Sequence, residues 1–208
     1  MEKISLLEGE RIDDLQCGGA RIIQHPGLFR FGTDAVLLQN FANLPSRARA
    51  VDLGTGTGIL PILLCTRQTQ IIFDAVEIQS ACVDMARRSV QLNGLQERIA
   101  VHEMDLKDAP ERLGREKYDA VLCNPPYGER MGERDEIETL YRQLGRVFPA
   151  LYPWQVYILT SHPRFERLYG QPADRVRRLY NGMIPCYLYE YFKPVAARTP
   201  KSAPPPRG

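Results

Sequence analysis

The stretch ARAVDLGTGTGILPILL, residues 48–64, places three glycines between a short apolar run and a longer apolar run. We predict a strand over 48–54, a glycine-rich loop and a helix over 59–68, in which Pro61 is tolerated because it falls in the first turn. Glycine permits a tight turn and lets backbone N–H groups approach a ligand closely. The glycines follow a GxGxG spacing rather than the GxGxxG dinucleotide pattern, so the loop alone is weak evidence for a ligand.

Strand-like and helix-like patterns alternate on the C-terminal side of this loop. Further strands are predicted by short apolar runs at 71–78, 98–105, 118–124 and 154–161, with one or two more in 183–192. Helices are predicted between them at 80–94, 136–152 and 164–170. This alternation is typical of parallel βαβ units, so we expect an α/β fold with a doubly wound, mostly parallel, seven-stranded sheet. In such sheets the ligand site lies beyond the carboxyl ends of the strands.

An N-terminal extension and a C-terminal tail flank the predicted sheet. A hairpin is predicted from residues 13–16 and 20–24 around a Cys-Gly-Gly turn, and a helix is predicted to begin at a Thr33/Asp34 cap. The expected organisation is a hairpin and helix over 1–47, the α/β domain over 48–193 and a disordered, Pro-rich tail over 194–208.

The composition is that of an ordinary globular protein, with 44% hydrophobic and 25% charged residues and a net charge of +2. No apolar run approaches the length of a membrane span, and the N-terminus lacks the features of a signal peptide. The five cysteines form no CxxC pair, so neither a zinc site nor a disulfide framework is indicated. We therefore expect a cytoplasmic, monomeric protein with reduced thiols and without a metal or a membrane partner.

Two acidic residues end later strands of the predicted sheet. Glu77 lies about 20 residues past the glycine loop, where a carboxylate can accept hydrogen bonds from two ribose hydroxyls. Asp105 ends the following strand, where a carboxylate or a backbone group can read an adenine amino group. Glu77 alone would be a solvated charge at a strand end, but together the acids and the loop favour a nucleoside-like cofactor. No GKS/T lysine is present to hold a triphosphate, which counts against a nucleotide phosphate.

The segment VLCNPPYGER, residues 121–130, follows the fourth predicted strand with an asparagine and two prolines. The simplest interpretation is a stiff turn, because proline donates no N–H and resists both helix and central strand. A chemical interpretation is that the Asn124 side-chain oxygen and the Pro125 carbonyl accept hydrogen bonds from an exocyclic base amine. Proline rigidity would preorganise that carbonyl, and Tyr127 could stack on a flipped base. The predicted catalytic residues are Asn124, Pro125, Pro126 and Tyr127.

These motifs together resemble the S-adenosylmethionine-dependent Rossmann-like methyltransferases. The Asn-Pro-Pro-Tyr segment resembles the Asp/Asn-Pro-Pro-Tyr/Phe signature of enzymes that methylate adenine N6, guanine N2, cytosine N4 or protein glutamine. The resemblance implies that the glycine loop lies against the methionine part of the cofactor, the first acid binds the ribose and the second acid lies by the adenine. The cofactor contacts that it implies are Asp52, Gly54, Thr55, Gly56, Gly58, Glu77, Ile78, Asp105, Leu106 and Asn124.

Residues 1–127 resemble the bacterial tRNA1(Val) adenine-37 N6-methyltransferases, chiefly in the segments ERIDDLQCGGARIIQHPGLFRFGTDAVLL and CNPPY. In that family the FRFGTDAVLL segment lies over the cofactor, which implies cofactor contacts from Phe31, Thr33 and Asp34. The alternative is that this segment is only a helix cap followed by core residues.

Residues 119–192 are similar to the C-terminal catalytic segment of the 23S rRNA guanine-N2 methyltransferases, the group that carries an added THUMP domain. The chain therefore resembles two related families joined near Asn124, as in a natural recombinant, a divergent lineage or an engineered chimera. An arginine-rich segment with interleaved aromatics, 162–182, is either a solvated face or a surface for RNA. The predicted RNA contacts are Arg130, Arg175, Arg177, Arg178, Tyr180 and Asn181.

The predicted function is S-adenosyl-L-methionine-dependent methylation of an exocyclic base amine in RNA, with adenine N6 in tRNA as the first substrate. Guanine N2 in 23S rRNA is the second. Methylation of a protein glutamine would need an extended peptide site, and the arginine-rich segment argues against it. A non-catalytic cofactor-binding scaffold is the remaining alternative, although such a scaffold has no use for an intact Asn-Pro-Pro-Tyr segment.

Overall fold

A computed structural model describes residues 4–28, 33–114, 118–126, 133–150 and 155–192. In chain order the elements are β1 (Arg11–Asp14), β2 (Arg21–Gln24), α1 (Thr33–Phe41), β3 (Arg49–Leu53), α2 (Ile59–Arg67), β4 (Ile72–Glu77), α3 (Ser80–Leu92), β5 (Ile99–Glu103), a 3-10 turn (Leu106–Asp108), α4 (Ala109–Arg112), β6 (Ala120–Cys123), α5 (Glu133–Ala150), β7 (Gln155–Thr160), α6 (Phe165–Tyr169), β8 (Arg175–Asn181) and β9 (Ile184–Tyr191).

A seven-stranded sheet in the order β5-β4-β3-β6-β7-β9-β8 forms the centre of the described structure. Strands β5, β4, β3, β6 and β7 pair in parallel. Strand β9 runs antiparallel to both β7 and β8. The predicted mostly parallel, doubly wound α/β sheet is therefore confirmed.

Apolar side chains cover the sheet on both faces. On one face, residues of α1, α2 and α3 pack against alternate residues of the strands, including Phe73 and Leu122. On the other face, residues of α5 and α6 pack against Val51, Val121 and Ile158. Because the central strands are buried on both faces, they appear in the sequence as nearly continuous apolar runs.

The N-terminal hairpin of β1 and β2 packs against α3. Ile22 and Ile23 are fully buried, and the backbone N–H of Ile23 donates to the Ser89 hydroxyl at 2.9 Å. The Asn93 side chain both accepts from the Arg21 N–H at 2.9 Å and donates to the Arg21 carbonyl at 2.6 Å. The hairpin is therefore attached to the sheet through a helix rather than through strand pairing.

One of the last two strands was not predicted. The one or two strands expected within 183–192 correspond to one strand, β9, whereas its partner β8 lies in the arginine-rich segment, where no strand was expected. Strand β8 is at the edge of the sheet, and its residues alternate only between exposed and partly buried positions. An edge strand without a fully buried face lacks the apolar alternation that predicts a strand.

A buried carboxylate joins four neighbouring strand segments at the amino-terminal side of the sheet. Asp74 of β4 accepts hydrogen bonds from the Arg49 guanidinium at 2.9 Å, the Tyr118 hydroxyl at 2.8 Å and His102 Nε2 at 2.7 Å. Burial alone raises the pKa of Asp74, but the bonds from His102, Arg49 and Tyr118 outweigh it and lower the pKa from 3.8 to about 2. The ionised form is therefore stabilised in the folded state.

We expect Asp74→Asn to lower the free energy of unfolding at pH 7 by about 2 kcal/mol, which corresponds to the depressed pKa. Because the folded pKa is the lower one, the native protein should have the full contribution above pH 3.8 and lose it as the pH falls towards about 2. Urea unfolding at several pH values measures this. The control is Asp84→Asn, whose carboxylate is 54% exposed in its pair with Arg88 and should contribute less than about 1 kcal/mol. Equal stability of Asp74→Asn and the native protein at pH 7 would contradict the expectation.

Candidate functional site

The carboxyl ends of β3, β4 and β6, together with the segment after β5, surround a cavity of about 360 Å³. This volume lies in the range of small-molecule sites, about 300 to 1,000 Å³. The described residues that line the cavity are Leu53, Gly54, Gly56, Val76, Glu77, Ile78, Gln79, Met104, Asp105, Leu106, Cys123, Asn124, Pro125, Pro126, Leu140 and Gln143. The glycine loop, both predicted acids and the Asn-Pro-Pro corner therefore meet at one place.

The glycine loop turns tightly over the end of the neighbouring strand. The backbone N–H groups of Gly54 and Thr55 both donate to the Val76 carbonyl at 2.9 Å. Gly54 has φ +81° and Gly56 has φ +58°, values that favour glycine because a Cβ would be strained there. A Cβ added to Gly54 would meet no atom within 4 Å, so the space beside this residue is open to a ligand.

Glu77 binds three backbone N–H groups around the cavity. Its Oε2 accepts from Gly56 at 3.0 Å, and its Oε1 accepts from Ile78 and Gln79 at 2.9 Å each. A carboxylate has about four acceptor sites, so these bonds leave capacity for a ribose hydroxyl. Glu77 therefore both shapes the glycine loop and presents an acceptor to the cavity.

Asp105 caps the turn that follows β5. Its carboxylate accepts from the Lys107 backbone N–H at 3.0 Å and pairs with the Lys107 ammonium at 2.8 Å. Burial alone raises the pKa of Asp105, but these contacts with Lys107 lower it overall. The carboxylate is thus engaged locally, and the adjoining backbone and Leu106 form the cavity wall.

One wall of the cavity is apolar, with Ile78, Met104, Leu106 and Leu140 along it. Ile78 is 61% exposed, so its apolar surface is accessible to a planar ring in the cavity. Gln143 of α5 also lines the cavity, and no hydrogen bond joins its side chain to another described residue. Leu140 and Gln143 were not predicted from the sequence. The available signal was that a helix following a strand begins at the edge where that strand ends.

The Asn-Pro-Pro corner is held by contacts with buried neighbours. Next to it, the Cys123 thiol donates to the Leu53 carbonyl at 2.9 Å. Burial raises the pKa of this thiol well above its ordinary value. Asn124 is partly buried, Pro125 is buried and Pro126 is exposed. Tyr127 and Arg130 lie outside the described residues, so their predicted roles stay predictions.

Tyr141 connects this corner to the end of β7. Its hydroxyl donates to the Pro126 carbonyl at 3.0 Å and lies 2.7 Å from the Thr160 hydroxyl. Because Tyr141 donates its hydroxyl proton to the Pro126 carbonyl, the Thr160 hydroxyl donates to the Tyr141 oxygen. The Thr160 oxygen in turn accepts from the backbone N–H of His162 at 3.1 Å. Burial raises the pKa of Tyr141 to about 12, which keeps it a donor at neutral pH. This buried chain of hydrogen bonds was not predicted from the sequence.

Three predicted cofactor contacts lie behind the cavity rather than along it. Asp52 and Thr55 are buried, and a Cβ on Gly58 would approach the Ala86 Cβ at 3.4 Å. Burial, with a smaller contribution from the nearby charge of Glu77, raises the pKa of Asp52 to about 7. These three residues therefore lie on the side of the glycine loop that faces away from the cavity.

Two residues of the segment predicted to cover the cofactor contact Asn181 at the end of the edge strand β8. The Thr33 hydroxyl donates to the Asn181 side-chain oxygen, and the Asn181 amide donates to Asp34. None of the three residues is among the described residues that line the cavity. Phe31 lies outside the described residues.

The predicted RNA-contact arginines have different surroundings. Arg175 and Arg177 pair with Glu190, whereas Arg178 lies over the Tyr180 ring at 5.3 Å from its centroid.

Among the helices that the structure describes, none is long and apolar enough to cross a membrane. The same parts of the chain hold no group of three or more His, Cys, Asp or Glu side chains that could bind a metal ion.

Comparison with known proteins identifies the family. The family described as UPF0020, RMKL-like, methyltransferase domain, matches residues 40–190, and the chain belongs to it. This match confirms the predicted methyltransferase. It runs through Asn124 without interruption, so one family accounts for both sides of the predicted junction. The resemblance of the N-terminal half to tRNA adenine methyltransferases gains no support from it and stays a prediction.

Two curated relatives illustrate the similarity. The putative RNA methyltransferase YpsC of Bacillus subtilis (strain 168) is 35% identical over 128 residues, which are 62% of this chain and 32% of YpsC. The ribosomal RNA large subunit methyltransferase K/L of Legionella pneumophila (strain Lens) is 38% identical over 114 residues, 54% of this chain and 16% of that enzyme. The chain therefore spans a third or less of the length of these relatives.

A solved structure shows the same fold. SMU.472, a putative methyltransferase complexed with SAH, matches 76% of this chain and 51% of its own, with a TM-score of 0.65 and 23% identity. At this identity the likeness concerns the fold alone, and it confirms the predicted Rossmann-like fold.

We expect Glu77→Gln to weaken binding of S-adenosylhomocysteine about tenfold or more. The new amide would present a donor to backbone N–H groups that now have an acceptor, and charged hydrogen bonds of this kind are worth about 1.5–3 kcal/mol. Isothermal titration calorimetry measures the dissociation constant. Glu103→Gln is the matched control, because it removes a carboxylate at the end of β5 that does not line the cavity. A dissociation constant unchanged in Glu77→Gln would remove Glu77 from the cofactor site.

Proposed function

We propose that this domain methylates an exocyclic amino group of a base in RNA, with S-adenosyl-L-methionine bound in the cavity described above. The observation that carries the proposal is that one cavity is lined by the glycine loop and Glu77 on one side and by Asn124, Pro125 and Pro126 on the other. A cofactor and an acceptor amine bound there would be neighbours.

The residues present fit this cofactor. Glu77 has capacity to accept from a ribose hydroxyl, and the apolar wall that includes the exposed Ile78 suits the adenine ring. The open space beside Gly54 admits the amino-acid end of the molecule. When bound, the cofactor supplies a methyl group on a sulfonium, which an amine nitrogen can accept.

The Asn-Pro-Pro corner supplies hydrogen-bond acceptors for the amine. A base amine is a weak nucleophile because its lone pair is delocalised into the ring. The Asn124 side-chain oxygen and the Pro125 carbonyl can accept its two hydrogens and so favour a tetrahedral nitrogen. Since these acceptors are held in place before the reaction, little reorganisation is needed. The surplus proton can leave after the transfer, so no strong general base is required.

The names of the relatives favour an RNA substrate. YpsC is a putative RNA methyltransferase and the K/L enzyme is a ribosomal RNA large subunit methyltransferase. We therefore place guanine N2 in large-subunit ribosomal RNA first and adenine N6 in tRNA second, which reverses the order that the sequence indicated. The resemblance of residues 1–127 keeps the tRNA candidate. Cytoplasmic action is part of this proposal.

Methyl transfer to separated unmodified ribosomal RNA and tRNA, followed by nucleoside mass spectrometry, tests the proposal. N2-methylguanosine in the large-subunit RNA is the expected product. N6-methyladenosine in tRNA would instead assign the second candidate. Methylation of neither RNA by a protein that still binds the cofactor would overturn the proposed function and leave the scaffold or a protein glutamine substrate.

Asn124→Ala should lower the rate of methyl transfer about 100-fold or more, a loss typical of removing one preorganised hydrogen-bonding group. Affinity for S-adenosylhomocysteine should remain nearly unchanged, because the lost acceptor acts on the substrate. Asn124→Asp keeps an acceptor oxygen and is the matched control, with a smaller loss expected. Single-turnover kinetics and calorimetry measure the two quantities. Wild-type turnover in Asn124→Ala would eliminate the proposed role.

Tyr141→Phe should lower the methyl-transfer rate about tenfold or more, because the Pro126 carbonyl loses its donor and a small displacement of reacting groups is costly. Tyr157→Phe is the matched control. Its buried hydroxyl also bonds to backbone, at Asn43, but far from the cavity. Both variants should lose similar stability by urea unfolding, while only Tyr141→Phe changes kcat. Equal kcat values would reduce Tyr141 to an ordinary core residue.

A further inference from the structure

The hairpin of β8 and β9 reaches the same edge of the sheet as the cavity. Strand β9 runs antiparallel to β7, with Tyr187 opposite Thr160 at the carboxyl end of β7. The first residues of β9 and the last residues of β8 therefore lie at that edge, with Met183 at the turn 96% exposed. Strand β8 is three strand spacings from β6, on the order of 14 Å.

The arginines of β8 point to opposite faces of the sheet. Arg175 and Arg177 lie on the face covered by α1, where both pair with Glu190. Glu190 is only 2% exposed, and Arg177 also lies over the Phe41 ring at 5.5 Å. Both guanidiniums pair with this one buried carboxylate, which holds them on this face of the sheet.

The opposite face of β8 is open. Val176, Arg178 and Tyr180 alternate along it, and Val176 and Tyr180 are 45% and 55% exposed. Arg178 is exposed and forms no ion pair with any other described residue. Its guanidinium lies over the Tyr180 ring, and the side of the guanidinium that faces solvent remains accessible to a ligand. We call Val176, Arg178, Tyr180 and Met183 the hairpin face.

We propose that the hairpin face binds single-stranded RNA beside the target nucleotide. This inference rests on the proposed function, since it takes RNA as the substrate. An exposed aromatic ring can stack on an unpaired base, and an unpaired guanidinium can contact a phosphate. The separation from Asn124 is too large for the same base to reach both, so the hairpin face contacts neighbouring nucleotides. Unpaired RNA also suits the chemistry, because a target base must leave its stack to enter the cavity.

A protein partner is a weaker match for this surface. A specific protein interface takes roughly 20–30 residues a side, many more than the four of the hairpin face. One exposed ring and one guanidinium are enough to contact a base and a phosphate.

Fluorescence anisotropy with a short fluorescein-labelled single-stranded RNA of mixed sequence tests the proposal. Arg178→Ala combined with Tyr180→Ala should raise the dissociation constant about tenfold or more, as expected for a lost base stack and phosphate contact. Arg178→Ala alone should reduce the salt slope of binding by about 1.

The matched control is Arg177→Ala, because it removes the same charge one residue away on the opposite face. It should leave RNA affinity and the salt slope unchanged. If the loss of a Glu190 partner unfolds that variant, Arg175→Ala replaces it, since Arg177 still neutralises Glu190 there. Equal losses from the two faces would overturn the assignment of RNA to the hairpin face. Unchanged RNA affinity in the double variant would also overturn the assignment. A wild-type dimer that the double variant loses in analytical ultracentrifugation would overturn it too, because the hairpin face would then bind a second copy of this chain.

The binding assay separates this proposal from the proposed function. RNA binding that depends on Arg178, without methylation of any RNA, would retain the docking surface and reject the reaction. Methylation that proceeds normally in the double variant would retain the reaction and reject the surface.

Discussion

The carboxylate of Glu77 determines the shape of the cavity. It binds backbone N–H groups of the glycine loop and of the turn after β4 at the same time, so two loops from separate strands hold one another in place. Such bonds to a buried carboxylate are strong and leave little freedom in the loops. The open space beside Gly54 and the exposed side of Ile78 exist because these loops are fixed.

The other side of the cavity depends on the C-terminal half of the domain. Pro126 accepts a hydrogen bond from Tyr141, and Tyr141 is held by Thr160, so the corner after β6 is bonded to α5 and to the end of β7. The hydroxyls of Tyr141 and Thr160 both have partners, which is the condition under which a buried polar network rigidifies a site. A rigid acceptor corner suits a reaction that needs preorganised hydrogen bonds more than it needs a base.

Charges in this domain serve two separate purposes. Asp74 and Glu190 are buried acids that hold strands together through arginines, at Arg49 in one case and at Arg175 and Arg177 in the other. Arg178 has no such partner among the described residues and faces outward. An arginine-rich segment therefore cannot be assigned to RNA as a whole, because two of the three arginines in β8 pair with Glu190 within the fold.

Local sequence patterns were enough to predict the strand, glycine loop and helix around residues 48–64, the parallel strands beyond them and the meeting of Glu77, Asp105 and Asn124 at one edge. These features follow from local patterns: apolar runs, glycines with positive φ and acids at strand ends, which the parallel fold brings together. The tertiary structure was needed to show that β8 is a strand, that Glu190 pairs with Arg175 and Arg177, that Tyr141 bonds to the Pro126 carbonyl and that Gln143 lines the cavity. It also placed Thr33 and Asp34 against Asn181. The physical reason is that each of these contacts joins residues distant in sequence, whose approach is set by how whole strands and helices pack and not by the residues beside them.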